Sequence, residues 1–186
     1  KHVEASAGRV FGGFFLAMLV AIPLAYFFYY SPASEKRAKL LLEALRFIPP
    51  LSLIPLLILW LGIGEAAKLS IVFLASFFPI YLNVFSGFKQ IDKSYKELAF
   101  MLRLNRMERF KHIEFPASLP NIFTGLRLGF GYSWRALVGA ELIAASSGLG
   151  YLIGDASEMS RTDKVFVGIL CIAVLGVLGD QLLSLI

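Results

Sequence analysis

Five apolar runs limit what this chain can fold into. Each is close to the ~20 residues that a helix needs to cross ~30 Å of hydrocarbon. Four of these runs contain no charged residue or almost none. The remaining run, called the fifth here, covers about residues 119–143 and carries Arg127, Arg135 and Glu141. The sequence therefore predicts an all-α fold, a polytopic membrane helix bundle with five visible spans. The runs cover residues 10–30, 47–64, 69–88, about 119–143 and 165–186.

The overall composition excludes an ordinary soluble domain. Of the 186 residues, 58% are hydrophobic and 17% are charged, and the mean hydropathy is +0.72. Soluble domains carry about 25% charged residues. The single cysteine, Cys171, lies inside an apolar run, so it cannot form an internal disulfide and is predicted to be a small core residue.

The distribution of lysine and arginine predicts the orientation of the spans. Residues 31–46 and 89–115 together hold eleven of these cations, whereas the connections on the alternate side hold five. Cytoplasmic loops of membrane proteins carry the excess of positive charge. Residues 31–46 and 89–115 are therefore predicted to lie in the cytoplasm, and residue 1 outside.

Residues 94–116, here called the basic segment, lie between two apolar runs. Ser94 and Glu97 have the spacing of a capping box, which predicts a helix that begins at Ser94. Apolar residues at helical spacing are expected to form one face that packs on membrane-embedded helices, while the other face meets a partner. These apolar residues are Tyr95, Leu98, Met101 and Leu102.

The second half of the basic segment is predicted to form a turn and another helix. Asn105 and Arg106 indicate a break, residues 107–113 a short helical piece, and Pro116 and Pro120 the end of the segment. The pattern predicts a helix, a turn and a helix outside the bilayer. The alternative is an ordinary basic loop that lipid phosphates hold.

The second apolar run contains three prolines. Pro49 and Pro50 are expected to start its helix, where proline is favoured. Pro55 leaves two interpretations open: it either kinks the span so that it lines a cavity or has no such role.

Charges inside the fifth recognised run are informative because a charge at membrane depth costs several kcal/mol unless it faces protein or water. Arg127 lies near the cytoplasmic end, where its side chain can snorkel. Arg135 and Glu141 lie deeper, and they either pack against partner helices or line a polar pathway. Asp180 is either a terminal residue of the last span or a partner for one of the arginines.

Two further features of this run concern packing. Gly125 and Gly129 have the small-xxx-small spacing that lets helices approach closely, which predicts core packing. Trp134 is expected to pack, with gating as the alternative.

Nothing in the sequence indicates catalysis, and no metal site is predicted. The chain has no G-x-x-x-x-G-K-[ST] loop for nucleotide phosphates, and Cys171 has no nearby metal ligand. The basic segment has no nucleic-acid motif, and the charge bias of membrane-flanking loops explains its lysines and arginines. Nucleic-acid binding is therefore not expected.

The basic segment carries a recognisable motif. Glu97, Ala99, Ile113 and Pro116 stand at the spacing E-A-A, three residues, G, nine residues, I-x-L-P. This resembles the EAA loop of permease subunits of binding-protein-dependent ABC importers. Three residues depart from that pattern: Leu98, Phe115 and Arg103. The resemblance implies that residues 94–116 are a cytoplasmic coupling loop.

The third departure is Arg103, which stands where the motif has glycine. Glycine permits a tight bend that arginine resists, so the path of the chain there is the point on which the resemblance is weakest. By resemblance, the residues that contact an ATPase are Glu97, Leu98, Ala99, Arg103, Leu104 and Asn105.

A second motif is more specific. Residues 49–68 are similar to the P-P-L-x-x-I-P-L-x-x-x-W-x-G-I-G-E-x-x-K signature of the nitrate/sulfonate/taurine/bicarbonate group of these permeases, and the resemblance covers nearly all of residues 5–180. It implies a type I ABC importer transmembrane domain for a small anion. The expected domain covers 1–186 and is a fragment that lacks one N-terminal span of six. The candidates for the translocation path are Pro55, Trp60, Asn83, Trp134, Arg135 and Glu141.

The resemblance also implies partners and a location. A separate ATPase subunit would bind ATP and Mg²⁺, an extracytoplasmic substrate-binding protein would deliver the solute, and a second permease copy would complete a homodimer in the lipid of the bacterial cytoplasmic (inner) membrane. This chain itself would hold no cofactor and would not be an enzyme. The alternatives are import of a neutral vitamin or pyrimidine precursor and, from another class, an ion-gradient carrier.

Overall fold

The computed structural model describes residues 1–184, apart from the side chain of Lys96, and within that range it contains helices and turns and no strand. The nine α-helices of this range are α1 (His2–Tyr30), α2 (Pro32–Arg46), α3 (Ile54–Leu61), α4 (Glu65–Lys89), α5 (Lys93–Met101), α6 (Arg106–Arg109), α7 (Phe115–Ala144), α8 (Leu149–Glu158) and α9 (Thr162–Ser184). A 3₁₀ turn over Pro50–Leu53 precedes α3, and a π-helical turn over Phe110–Glu114 precedes α7.

Helices α1, α4 and α7 form the core. Close approach between α4 and α7 depends on glycine: a Cβ at Gly129 would lie 2.7 Å from Cγ1 of Ile80, and a Cβ at Gly125 would lie 2.9 Å from Cβ of Asn83. The small-xxx-small spacing therefore serves core packing, as predicted. Along α1 the buried residues recur every three or four positions and so lie on one face, namely Val10, Phe14, Ala17, Ala21, Ala25 and Phe28.

The apolar runs correspond to the candidate membrane spans. Helices α1, α4 and α9 are each long and apolar enough to cross a membrane. Two bent pairs add candidates: residues 32–46 with 50–61, bent by 83°, and residues 106–144 with α8, bent by 45°. With each pair counted as one span, the described residues contain up to five, the number that the sequence predicted.

The second apolar run does not form one continuous helix. α2 ends at Arg46, the chain turns, and α3 contains only eight residues. Pro55 lies in the first turn of α3, where the missing N–H breaks no helical hydrogen bond. The kink interpretation of Pro55 is therefore wrong, because the 83° bend precedes the 3₁₀ turn. Gly62 ends α3 with a φ of 77°, the left-handed conformation that glycine adopts readily.

Helix α9 packs at the edge of the bundle against α7 and α8. The indole Nε1–H of Trp134 donates a hydrogen bond to the backbone oxygen of Ile172, 3.0 Å away. Trp134 is buried and stacks on Phe130. The expectation that Trp134 packs agrees with this position. The face of α9 that points away from α7 is largely exposed.

Candidate functional site

Helix α5 begins one residue earlier than predicted and has a different cap. The Asp92 carboxylate accepts hydrogen bonds from the backbone N–H of Ser94, at 2.8 Å, and from the Ser94 hydroxyl, at 2.7 Å. These hydrogen bonds lower the pKa of the Asp92 carboxyl below its usual value. The predicted capping box of Ser94 with Glu97 is therefore wrong. Asp92 and Ser94 both suit an N-cap position, and the structure uses the earlier one.

The turn after α5 is closed by Arg103. The backbone N–H of Leu104 donates to the oxygen of Ala99 at 3.1 Å, and that of Arg103 donates to the oxygen of Phe100 at 3.0 Å. This pair of hydrogen bonds is the Schellman motif, which places a left-handed residue just after the helix. That residue is Arg103, with a φ of 49°. Arg103 thus adopts a left-handed backbone conformation at the position where the motif has glycine, at a conformational cost of ~1–2 kcal/mol.

Asn105 starts the second helix of the basic segment. Its side-chain oxygen accepts the backbone N–H of Glu108 at 2.9 Å, and the Glu108 carboxylate accepts the Asn105 N–H at 2.8 Å, a complete capping box. The helix, turn and helix are confirmed, but the break lies before Asn105. Pro116 and Pro120 do not bound the segment as predicted, because Pro116 lies in the first turn of α7 and Pro120 lies inside it.

The apolar face of α5 is exposed. Met101 is 79% exposed, whereas Ala99 is only 2% exposed. The prediction that this face packs on other helices of the chain is therefore wrong for the described residues, and the exposed apolar residues form a patch of the kind that marks a contact with another molecule. The exposed apolar residues are Tyr95, Leu98, Phe100, Met101, Leu102 and Met107. Of the other predicted contact residues, Glu97, Arg103 and Asn105 are exposed and Leu104 is half-buried.

A polar group at the base of the basic segment was not predicted from the sequence. Glu114 is buried, its carboxylate accepts a hydrogen bond from the Tyr30 hydroxyl, and its Oε1 lies 2.8 Å from Nε of Arg109. The guanidinium of Arg106 lies 4.1 Å from the centre of the Tyr30 ring. Tyr30, Arg106, Arg109 and Glu114 are here called the inner cluster. They join the last residue of α1 to the stretch that connects α6 to α7.

A larger polar group, the outer cluster, lies at the other end of α1. Arg9 donates from Nη1 to Oε1 of Glu141 at 2.7 Å and from Nε to Oε2 of Glu65 at 2.6 Å. Nζ of Lys68 lies 3.0 Å from Oε1 of Glu65. The Ser6 hydroxyl donates to the Glu141 carboxylate. Two cations and two carboxylates are therefore paired there, and the cluster joins α1, α4 and α7.

The outer cluster also holds the start of α8. The Glu141 carboxylate accepts the backbone N–H of Gly150 at 3.0 Å, and Nη1 of Arg9 donates to the Ser147 oxygen at 2.6 Å. A Cβ at Gly148 would lie 2.3 Å from the Glu141 carboxyl carbon, so only glycine fits. Glu141 is thus buried and packed against other helices of the chain, which is the first of the two positions that the sequence left open. The sequence indicated that Glu141 needs a partner, but it did not identify Arg9.

The six candidates for the translocation path do not converge. Trp60 is 70% exposed on α3, Asn83 packs against Gly125 and donates to the Pro79 oxygen at 2.8 Å, and Trp134 is packed on α9. Pro55 begins α3 and Glu141 belongs to the outer cluster. Asn83, Trp134 and Glu141 thus make packing contacts within the chain, and their place in a translocation path stays a prediction.

Arg135 is the candidate that faces open space. It lines a cavity of about 810 Å³ between α2, the 3₁₀ turn, α4 and α7, and also a cavity of about 730 Å³ between α7 and α9. Its guanidinium lies 5.5 Å from the centre of the Tyr132 ring. Arg135 therefore remains a candidate for contact with a solute.

Arg127 and Asp180 form an ion pair between α7 and α9. Nη2 of Arg127 lies 2.7 Å from Oδ2 of Asp180, and a second hydrogen bond of 3.0 Å makes the pair bidentate. The interpretation of Asp180 as a partner of an arginine is the correct one. The Arg127 guanidinium is therefore stabilised both by the ion pair with Asp180 and by partial exposure to solvent.

Comparison with known proteins gives a family. The family model described as "Binding-protein-dependent transport system inner membrane component" matches residues 13–186. The match includes all of α4, the basic segment and α7, so the exposed patch, the inner cluster and the 810 Å³ cavity lie within the matched region.

Three similar proteins carry more specific names. The chain is 38% identical over 185 residues to a Bacillus subtilis protein provisionally named as an aliphatic sulfonates transport permease, which covers 100% of this chain and 67% of the relative. It is 36% identical to the taurine transport system permease of Escherichia coli, over 96% of this chain and 65% of the relative. It is 32% identical to a nitrate import permease of Synechocystis, over 98% and 66%. The chain thus spans about two thirds of the length of these relatives.

Proposed function

Since the chain belongs to the family of inner membrane components of binding-protein-dependent transport systems, we propose that it is the transmembrane permease subunit of an ATP-driven ABC importer for small anions. The three relatives described above are named for sulfonates, taurine and nitrate, each of which carries an anionic group. Several apolar helices fit a multi-pass protein of the cytoplasmic membrane.

The exposed apolar patch on the basic segment is the observation that carries this proposal. Leu98, Met101 and Met107 are large apolar residues in solvent beside the EAA-like motif, and water-exposed residues of this kind favour contact with another protein. The patch is the docking surface for an ATPase subunit, with Glu97, Leu98, Arg103 and Asn105 at the contact. Residues 94–116 form the coupling loop on the cytoplasmic side.

The inner cluster connects this docking surface to the helix bundle. An ATPase that moves α5 and α6 also moves Arg109, which is paired with Glu114 and hydrogen-bonded to Tyr30 at the end of α1. Closure of two ATPase subunits would bring two basic segments together and rotate the helices of two permease copies between inward-open and outward-open states. An extracytoplasmic binding protein delivers the solute to the other end.

Reversal of the charge at Glu97 tests this function. Asp92 caps α5 and Glu97 does not, so Glu97→Arg alters the contact and leaves the cap in place. We expect about tenfold lower uptake into proteoliposomes and less ATPase retained on the purified permease. Glu158→Arg, an exposed charge reversal at the other end of the bundle, is the matched control. Undiminished uptake and ATPase retention in Glu97→Arg would reject the contact.

A further inference from the structure

α6 and α7 form one continuous helix that contains a π-helical turn. The backbone N–H of Phe115 donates to the oxygen of Phe110, five residues back, whereas an α-helix bonds each N–H to the oxygen four residues back. The backbone is helical on both sides of this turn, at Arg109 and at Phe115. The turn therefore holds one more residue than an α-helical turn does.

Pro116 gives a physical reason for the wider turn. In an α-helix its nitrogen would face the His112 oxygen, but proline has no N–H to donate and its ring clashes with the oxygen four residues back. Proline is tolerated at the free start of a helix, yet the chain before Pro116 is already helical. A π-helical turn directly before the proline relieves this clash.

The wider turn also brings the inner cluster together. Arg109 and Glu114 are five residues apart, and Nε of Arg109 lies 2.8 Å from Oε1 of Glu114. In an α-helix, residues three or four apart are neighbours, whereas residues five apart point ~140° away from each other at 100° per residue. The ion pair therefore depends on the π-helical turn, and so do the hydrogen bonds that the Tyr30 hydroxyl makes with both side chains.

The same turn sets the direction in which α6 faces. At present α6 directs Met107, which is 72% exposed, to solvent, while Arg109 contacts Tyr30 on α1. If the turn were α-helical, every residue of α6 would be rotated by ~100° about the helix axis relative to α7. Met107 would then leave the docking surface, and Arg109 would leave α1.

We infer that Pro116 is a positioning residue for coupling. Because it cannot donate an N–H to the His112 oxygen, it keeps the turn π-helical, and the turn orients the docking surface relative to the helix bundle. Pro116 acts through the backbone and not through contact with an ATPase or a solute. The inference rests on the proposed function and adds to it a residue that sets the register of the basic segment.

Two changes that compensate each other test this role. Pro116→Ala supplies the missing N–H, so the turn should become α-helical and rotate α6. Deletion of Lys111, an exposed residue of the turn, should rotate α6 in the opposite direction. Together the two changes should give an α-helical turn in which Arg109 and Glu114 are four residues apart, which restores the ion pair. Pro120→Ala, at the other exposed proline of α7, is the matched control.

Uptake and ATP hydrolysis are measured on one preparation of each variant, assembled with its ATPase and binding protein in proteoliposomes. The probe is taurine, ethanesulfonate or nitrate, whichever anion the wild-type complex imports best. We expect the ratio of uptake to hydrolysis to fall about fivefold in Pro116→Ala and in the Lys111 deletion, to recover in the double variant and to stay unchanged in Pro120→Ala. A wild-type ratio in Pro116→Ala, or a double variant without recovery, would overturn the inference.

A distance measurement reports the rotation directly. In a Cys171→Ala background, nitroxide labels at the exposed positions of Met107 on α6 and Gln90 just after α4 are compared in the permease alone, in nanodiscs. The label distance should change by about 3 Å or more in Pro116→Ala, because Cα atoms lie ~2.3 Å from the helix axis and labels lie further out. The double variant should regain the wild-type distance. An unchanged distance in Pro116→Ala would show that the proline does not set the register.

Failure of this inference differs from failure of the proposed function. If the wild-type complex shows ATP-driven uptake and Pro116→Ala keeps both the ratio and the label distance, only the role of Pro116 is rejected. If the wild-type chain assembles with no ATPase and imports none of the three anions, the proposed function is rejected and the coupling role of Pro116 with it.

Discussion

The outer and inner clusters, at opposite ends of α1, are built from similar groups but join different parts of the molecule. Each contains a buried carboxylate, Glu141 or Glu114, that is ion-paired with an arginine and accepts a hydrogen bond from a hydroxyl. In the outer cluster Arg9 is 6% exposed and ties α1 to α4 and α7. In the inner cluster the arginine is 35% exposed and ties α1 only to the stretch after α6.

The difference between the clusters indicates different tasks. A buried pair that connects three core helices resists any relative motion of those helices, because separation would leave charges without partners. A half-exposed pair between α1 and the basic segment can transmit a displacement of that segment with a smaller penalty, since water can reach Arg109. We therefore regard the outer cluster as a clamp and the inner cluster as a link to the basic segment.

The largest expected effect concerns which cluster faces which side of the membrane. In a Cys171→Ala background, Gln90→Cys near the inner cluster and Glu158→Cys at the end of α8 introduce single exposed thiols. In right-side-out vesicles, an impermeant maleimide should label position 158 almost completely and position 90 hardly at all. Labelling of position 90 from outside would exchange the two ends and remove the coupling role of the inner cluster.

Loss of Arg9 should reduce stability more than any other single change in either cluster. Arg9→Met leaves the Glu141 carboxylate buried with hydroxyl and amide donors but without its cation, and the expected loss is ~3–5 kcal/mol of the free energy of unfolding. The measurement is thermal unfolding of the purified permease followed with a thiol-reactive dye that reports exposure of the half-buried Cys171.

Glu65→Gln is the control for Arg9→Met. Its side chain is 60% exposed, so water replaces much of the lost ion pair, and the expected loss is below ~1 kcal/mol. Equal melting temperatures for Arg9→Met and Glu65→Gln would contradict the clamp. The double variant Arg9→Met/Glu141→Leu should recover part of the lost stability, since no unpaired charge stays buried.

Glu114→Gln should separate ATP hydrolysis from uptake with a smaller loss of stability. The change removes the charge that holds Arg109 and weakens the acceptor of the Tyr30 hydroxyl, and about 1–2 kcal/mol of stability is at stake. We expect uptake to fall severalfold while the assembled complex continues to hydrolyse ATP. Parallel measurements of both activities on one preparation give the ratio that reports coupling.

Asp180→Asn is the matched control for Glu114→Gln. It removes the carboxylate charge of the pair between Arg127 on α7 and Asp180 on α9, and that pair joins α7 to α9 and not to the basic segment. A constant ratio of uptake to hydrolysis is expected there. If Glu114→Gln also left the ratio constant, the inner cluster would be a structural contact only, and the distinction between the two clusters would disappear.

The sequence predicted which residues form helices better than it predicted which charges meet. Apolar runs and helical spacing identified the membrane helices because burial in lipid depends on local composition. Charge counting also placed Arg9, Lys68 and residues 148–164 on one side, and Arg9, Lys68 and Gly150 at the start of that stretch all lie at the outer cluster. The Arg9–Glu141 pair spans 132 residues, and no local pattern specifies such a partner.

Errors arose where two local solutions have similar free energies. Asp92 and Ser94 are both good N-cap residues, two positions apart, and the structure uses Asp92.

The smallest expected effect concerns Arg103, which lies in the basic segment. Arg103→Gly should relieve the left-handed strain of ~1–2 kcal/mol, but glycine also gains conformational freedom in the unfolded chain, which offsets ~0.5–1 kcal/mol. A net stabilisation below about 1 kcal/mol is expected, or a rise of a few degrees at most in the melting temperature, with uptake retained. Arg37→Gly, at an exposed position inside α2, is the matched control and should destabilise by about 1 kcal/mol. If Arg103→Gly were as destabilising as Arg37→Gly, the Schellman turn would depend on the arginine side chain and not on backbone conformation alone, and the basic segment would owe its shape to a contact rather than to its own sequence.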